Sequence, residues 1–267
     1  MDPDHHPPSE SAPITSQRKL SRLADILQEL YYKHRQKSFD AGLSKIRFVN
    51  GIMFTYDSSG KDDALSIAEL LNLCDGTKNK RTLLARFGCM EAVTLMADIL
   101  MYGLVGLDCD VEVIIAKMKE PHRKFIRVDL YSVQLDNPPW HKFYRITLRD
   151  GITTHVYALD LSSAQYGYYK PLVSFETYMV ERVEEIRETS LDVAKWNLLR
   201  IVERAREMLR YEWKRVCAEI IFQAVKDWEW RGHLKLRNTL CLPEKEFDEM
   251  KVKLIDYVEA TLAKSNL

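Results

Sequence analysis

Three side chains in this chain can combine into nucleophilic chemistry: the thiol of Cys89, the imidazole of His141 and the carboxylate of Asp160. The last two lie in one stretch, Trp140 to Gly167, WHKFYRITLRDGITTHVYALDLSSAQYG. Two alternating β-prone runs flank Asp150-Gly151, a dipeptide that a two-residue type I′ turn prefers because both turn residues need φ > 0. With that turn, Arg149 faces Ile152 and His141 faces Asp160. Directly opposed Cβ atoms lie roughly 4.5–5.5 Å apart, so imidazole and carboxylate can hydrogen-bond across the ladder. The carboxylate then fixes the tautomer and leaves the other ring nitrogen free as a base. His155 is the rival, but it sits an odd number of residues before Asp160 on the same strand. Odd separation sends the two side chains to opposite faces. A one-residue slip or a bulge would spoil the His141–Asp160 pair, and a hairpin with an ordinary polar cross-strand pair has the same sequence.

The nucleophile that such a base requires is found upstream. Cys89 follows Gly88 and opens an apolar run, CMEAVTLMADILMYG. Val93, Met96, Ala97, Leu100 and Met101 recur at helical spacing, and Gly103 can close the helix. A thiol in the first turn feels the positive end of the helix dipole, which favours thiolate. The basic approach to it (Lys78, Lys80, Arg81, Arg86) can add to that effect or be a solvated face. Chemistry requires Cys89 to be accessible and close to His141. A buried Cys89, or a separation beyond about 7 Å, with no plausible movement, would sink that reading, because proton transfer needs near hydrogen-bond reach.

The order helix-opening Cys, then His on one strand and Asp on the next, resembles the papain-like, transglutaminase-like Cys-His-Asp superfamily. The arylamine N-acetyltransferases and bacterial glutamine deamidases share this logic. The run YALDLSSAQYG also resembles a segment, roughly YALDLTGAQYG, of certain fungal proteins. The resemblance covers about Arg86 to Tyr169. It implies Cys89 as nucleophile, His141 as base and Asp160 as orienting acid. One departure is plain: neither Asn nor Gln closely precedes Cys89, where many relatives carry an oxyanion-hole donor. The backbone N–H of Cys89 and a neighbour at the helix start would then have to serve. Trp140, Gln165 and Tyr166 are candidate substrate-binding residues. Trp140 could shield His141 or plug a sheet edge. Gln165 could orient a substrate or supply the oxyanion donor, and Tyr166, Tyr168 and Tyr169 could form an aromatic wall or pack on the sheet.

Composition narrows the partners. Of 267 residues, 46% are hydrophobic and 29% charged, within the range of a globular protein rather than a disordered one. Lys and Arg equal Asp and Glu at 39 each, so no basic excess recommends nucleic acid or an anionic membrane. The five cysteines are scattered and form no CxxC, which speaks against a disulfide framework or a zinc site. No metal or other cofactor is expected. Free thiols, no secretory leader and no run of about 18 apolar residues suggest cytoplasm or nucleus. Phosphate-loop, dinucleotide, HExxH and GxSxG motifs are absent. The expected partner is a protein or small acyl or amide substrate, with a further protein partner conceivable on the C-terminal helices.

The elements that must position these residues follow in order. Residues 1–15, rich in Pro, Ser and acid, read as a disordered tail. Ser16 to about Gln36 carries one apolar stripe and reads as a helix capped by Thr15 or Ser16. Ile46 to Tyr56 reads as a strand pair or interrupted strand broken at Asn50-Gly51. Leu107 to Lys117 reads as a central strand and Lys124 to Gln134 as another in the same sheet. Asn137-Pro138-Pro139 is a rigid turn delivering Trp140 and His141. From Ser174 to Trp230 the chain reads as almost continuous helix, broken at Ser190, and Pro243 starts a last one. The expected fold is α+β: an antiparallel sheet packed on a nucleophile-bearing helix, with a long helical C-terminal extension. Residues 16–173 form the core, and 174–267 the extension packed on it.

Overall fold

The computed structural model describes residues 14–40, 42–60, 62–129, 132–135, 140–190 and 208–265. The tail at 1–13, the turn at 137–139 and the helix expected over 191–207 lie outside the described residues.

The fold is α+β. Helix α1 (Ser16–Ser38) opens it, capped by Thr15, whose side chain accepts from the Arg18 N–H at 3.3 Å. Strands β1 (Leu43–Val49) and β2 (Ile52–Asp57) form a hairpin at Asn50-Gly51, where φ is +48° and +80°. Two positive values are the type I′ requirement that Asn-Gly meets cheaply. Helices α2 (Ile67–Asn72) and α3 (Gly76–Ala85) lead to the run that Cys89 opens. That run is two helices, α4 (Cys89–Leu95) and α5 (Ala97–Gly103), parted at Met96, rather than the one expected. Gly103 lies so close to α1 that a Cβ there would meet Leu23 Cδ1 at 2.4 Å.

Strand β3 (Cys109–Met118) is central, as its two-sided apolar pattern suggested. Its sheet runs β8-β7-β6-β3-β9, with β6 (Trp140–Asp150), β7 (Thr153–Leu159), β8 (Leu172–Ser174) and β9 (Val183–Ser190), all antiparallel. Between β8 and β9 lies only a short helix, α6 (Phe175–Arg182). The helix expected across 174–190 is thus corrected. Glu and Arg favour helix locally, but β3 has a second edge to satisfy, and tertiary pairing overrides the weak local preference. Strand β9 closes that edge with charges outward, Lys117 Nζ meeting Glu184 Oε1 at 2.6 Å. The sheet therefore draws on residues beyond 173.

Strands β4 (Lys124–Val128) and β5 (Val133–Leu135) do not join this sheet, contrary to expectation. They extend the β1–β2 hairpin in a second sheet, β4 running parallel to β2. The helical C-terminal part comprises α7 (Met208–Trp230), α8 (Leu236–Thr239) and α9 (Glu244–Lys264). Helices α7 and α9 pack on each other and on α1. Together with α4 and α5 they bury one face of the large sheet, including Val113, Tyr144, Ile146 and Leu159. The other face buries Ile114, Ala116, Phe143 and Ala158 against Tyr166 and Tyr178. Among the described residues, no helix is long and apolar enough to cross a membrane.

Candidate active site

The hairpin that carries His141 turns one residue later than its sequence suggests. Asp150 pairs with Thr153, so Gly151 and Ile152 are the turn residues. Gly151 has φ +63° and Ile152 does not reach positive φ, which fits a type II′ turn with Gly first rather than type I′. Tyr144 pairs with Leu159, the ladder ends there, and His141 and Asp160 are not cross-strand partners. They meet nonetheless. His141 Nε2 lies 2.8 Å from Asp160 Oδ2. The register moved, but each paired sum changed by two, so the strand faces kept their parity. Asp160 reaches His141 from the turn just past β7, pinned by its own N–H to Pro171 O at 2.8 Å. His155 is exposed and opposite Leu148, away from this site.

Asp160 is buried and fully engaged. Oδ1 accepts from the Ser162 N–H at 3.1 Å and the Ser162 hydroxyl at 3.2 Å. Oδ2 accepts from the Tyr178 hydroxyl at 2.7 Å as well as from His141. Burial opposes its charge, but His141 and then Tyr178 outweigh it and hold the carboxyl below its ordinary range. The first of these partners had a signal: an Asp bonding its own backbone two residues on is a common turn. Tyr178 had none, because it arrives from α6, which shares no sequence spacing with the hairpin.

His141 is itself fully buried, with Tyr166 edge-on at 4.8 Å and Phe143 stacked at 6.2 Å. Burial disfavours the imidazolium. The Asp160 carboxylate and then Cys89 more than compensate, and the ring is pushed up to about 10. With Nε2 given to Asp160, Nδ1 is the nitrogen left for the thiol, and the Cys89 and His141 side chains lie close enough to shift each other's titration. Gln165 Nε2 also lies 3.3 Å from Nδ1, while its Oε1 is buried without a partner. Turning that amide over would present Oε1 to a protonated Nδ1, so the Gln165 amide can follow the charge state of His141.

Cys89 opens α4 after a turn in which Phe87 takes φ +53°, a left-handed value that a bulky residue adopts only when its surroundings impose it. Gly88 is demanded by packing: a Cβ there would sit 1.9 Å from the Tyr31 hydroxyl. Gly88 supplies no side-chain cap, so no capping side chain occupies the first amides of the helix. Burial opposes the thiolate. The hydrogen bond and charge of His141, then Lys142 and its backbone N–H, pull the thiol below its ordinary value. The other shifted thiols go the opposite way, burial pushing Cys74 to about 11, Cys217 to about 12 and Cys109 upward.

On its far side α4 is held by a buried ion cluster that sequence reading missed. Glu91 meets Arg35 NH1 and Lys214 Nζ, each at 2.5 Å. Arg35 also donates to the carbonyls of Leu84 at 2.7 Å and Arg86 at 2.9 Å, either end of the turn before Cys89. The cluster joins three elements remote in sequence, and nothing in their spacing announces it.

Of the residues singled out for substrate, Gln165 and Tyr166 come to His141, both buried. Trp140, adjacent to His141 on a strand, points to the opposite face and lies under the Arg187 guanidinium at 4.9 Å. Tyr168 faces His122 and Arg182, and the Tyr169 hydroxyl lies 3.2 Å from Thr82 Oγ1. The three tyrosines do not make one wall. Cys89 is only 9% exposed, flanked by exposed Phe87 and half-buried Met90 and Lys142. The thiol and the ring act on each other, but Cys89 is buried, so the accessibility condition is not met by the side chains as they stand. Among the described residues, no group of three or more His, Cys, Asp or Glu could hold a metal ion.

Compared with known protein-family models, curated proteins and solved structures, the chain matches none.

Proposed function

We propose that the protein performs cysteine-dependent acyl or amide chemistry on a papain-like or transglutaminase-like core. The observation that carries this reading is the buried pair in which Asp160 holds His141 at 2.8 Å, with the Cys89 thiol and that ring shifting each other's titration. The Cys89 thiolate attacks a carbonyl carbon, forming a C–S bond as the carbonyl π pair moves to oxygen. The backbone N–H groups at the start of α4, which no N-cap side chain engages, would donate to that oxygen. Collapse breaks the bond to the leaving amine or alkoxide, which takes the proton from the His141 imidazolium. Water or an amine then gives its proton to His141, attacks the thioester and expels the thiolate. Hydrolysis, deamidation and acyl transfer share these steps and differ in the acceptor.

A second reading is favoured by one observation, the burial of Cys89. In it the same fold is catalytically silent and serves as a protein-interaction module through its C-terminal helices. Against it, α7 and α9 spend Cys217, Ile221, Val225, Phe247, Leu254 and Val258 on the core.

Thiol alkylation against pH separates the two. For an enzyme, one thiol reacts fast at a pH well below the ~8.5 of a free cysteine, is lost in Cys89→Ala and slows in His141→Ala. If every thiol is slow and indifferent to His141, the enzyme reading fails.

A further inference from the structure

A cavity of about 450 Å³ opens between α1, α3, α9 and the segment 169–171, and no triad residue lines it. Its floor is one face of α1, where Asp25, Gln28 and Glu29 recur at the three- and four-residue spacing that brings helix side chains together. Glu29 is matched by Arg81 at 2.6 Å, but Asp25 has no hydrogen bond or ion pair within the described residues. Half-buried, it is pushed above the usual carboxylate range by burial, against the opposing charge of Lys251. Gln28 is 3% exposed and its Nε2 has no partner. An unmet buried amide donor is destabilising, and apolar replacements of similar size avoid that cost. The remaining wall offers the exposed cation Lys170, Lys251 (3.5 Å from Asp248), the Asp256 carboxylate, and apolar surface from Ile255 and Pro171.

The cavity thus sets a carboxylate that has no hydrogen bond or ion pair among the described residues beside an unmet amide donor and the Lys170 ammonium. A molecule that satisfies all three carries a cation at one end and a carboxylate at the other. From this we infer that the cavity binds a small zwitterion, a free α-amino acid or short peptide. Its ammonium pairs with Asp25, and its carboxylate accepts from Gln28 and Lys170. The inference is independent of the thiol chemistry, although the two places touch through the chain: Pro171, in the cavity wall, accepts the N–H of Asp160 at 2.8 Å.

The test is calorimetric titration of the full chain at neutral pH with the twenty free amino acids and glycylglycine. Each binder is then repeated as its methyl ester, which lacks the carboxylate, and its N-acetyl form, which lacks the ammonium. At least one free zwitterion is expected to bind, with both blocked forms weakened tenfold or more. Asp25→Asn should weaken the free form but leave the already weak N-acetyl form unchanged. Gln28→Leu should weaken the carboxylate-bearing forms while leaving the melting temperature of the free protein equal or higher. Cys89→Ala should bind as wild type, so this result stands apart from the fate of the thiol. The inference is overturned if no member binds below about 10 mM, if blocked forms bind as well as free ones, or if Asp25→Asn is without effect.

Discussion

Replacing Asp160 by Asn tests the site through its hydrogen-bond bookkeeping. Both carboxylate oxygens are acceptors: Oδ1 from the Ser162 N–H, Oδ2 from His141 and Tyr178. An Asn amide can accept at only one end. Its NH2 cannot face the Ser162 N–H, a fixed donor, so it turns toward His141 and Tyr178. The Tyr178 hydroxyl can rotate, whereas His141 must change tautomer, leaving Nε2 bare and the proton on Nδ1, toward the thiol. The ring then no longer serves as a base for Cys89. The rise of His141 from 6.5 to about 10 corresponds to about 5 kcal/mol in favour of the imidazolium, with Asp160 its main source and Cys89 the next. Without Asp160 the imidazolium that lowers the Cys89 thiol is weakened, so alkylation of Cys89 in mild acid is expected to slow roughly tenfold or more. The assay is the pH profile of iodoacetamide labelling at Cys89, read by mass spectrometry on protein checked for cooperative unfolding. The stability gap has a defined sign. A raised histidine stabilises fully below its unfolded value of 6.5 and loses that contribution as pH rises through about 10, so the gap to wild type should close over that interval. A folded Asp160→Asn protein with an unchanged labelling profile would refute this coupling.

Glu91→Gln removes the charge that Arg35 and Lys214 share inside the protein and is expected to cost about 3–5 kcal/mol, because it leaves buried cations unmatched. Denaturant unfolding measures this, and a change under about 1 kcal/mol would contradict it. Burial opposes the Glu91 charge, but Arg35 and then Lys214 depress it to about 2. Its contribution is therefore complete above 4.5, is lost as pH falls through about 2, and the variant should lack that acid-sensitive limb. Gly88→Ala should be severely destabilising, since the new Cβ falls 1.9 Å from the Tyr31 hydroxyl. Tyr31→Phe should be nearly neutral, because that hydroxyl has no partner to lose. The double variant should regain about 2 kcal/mol relative to additivity, the next contacts being Tyr31 Cζ at 3.2 Å and Ala85 O at 3.3 Å. Additive losses would show that the steric account is wrong.

What the sequence made legible was local chemistry with a period or a turn attached. The Asn50-Gly51 hairpin, the α1 stripe, the helix opening at Cys89 and the central place of β3 all follow from such signals. The His141–Asp160 pair was found through a register that the structure does not have. It survives because the turn moved in a way that preserved strand parity, and because the residue after β7 has the reach to close the gap. Trp140 was misplaced by the rule that excluded His155: neighbours on a strand face opposite ways, and His141 had already claimed the inner face. Strand β9 was hidden because VEEIRE has helical composition, and its pairing is decided by the open edge of β3, sixty-odd residues earlier in the chain. The Tyr178 hydroxyl and the Arg35–Glu91–Lys214 cluster are contacts between elements whose mutual placement no local pattern encodes.

These contacts bear on how the thiol is held. Cys89 and Glu91 are two residues apart at the start of one short helix, the first engaged by the hairpin and the second by α1 and α7. The turn before them is clamped by Arg35 at the Leu84 and Arg86 carbonyls, and Tyr31 leaves no room at Gly88 for a side chain. A thiol fixed from both sides would lose little freedom on meeting a carbonyl, which is the advantage of preorganisation. The same clamping restricts outward movement of α4, so access to Cys89 has to come from the residues beside it. Phe87 is exposed, and Met90 and Lys142 lie together at the surface with Lys142 Nζ 3.0 Å from Met90 Sδ. Displacing those flexible side chains costs far less than moving a helix tied by buried ion pairs. A thiol 9% exposed beneath flexible side chains is therefore compatible with attack on a small carbonyl or an extended peptide, and poorly suited to a bulky, rigid acyl donor.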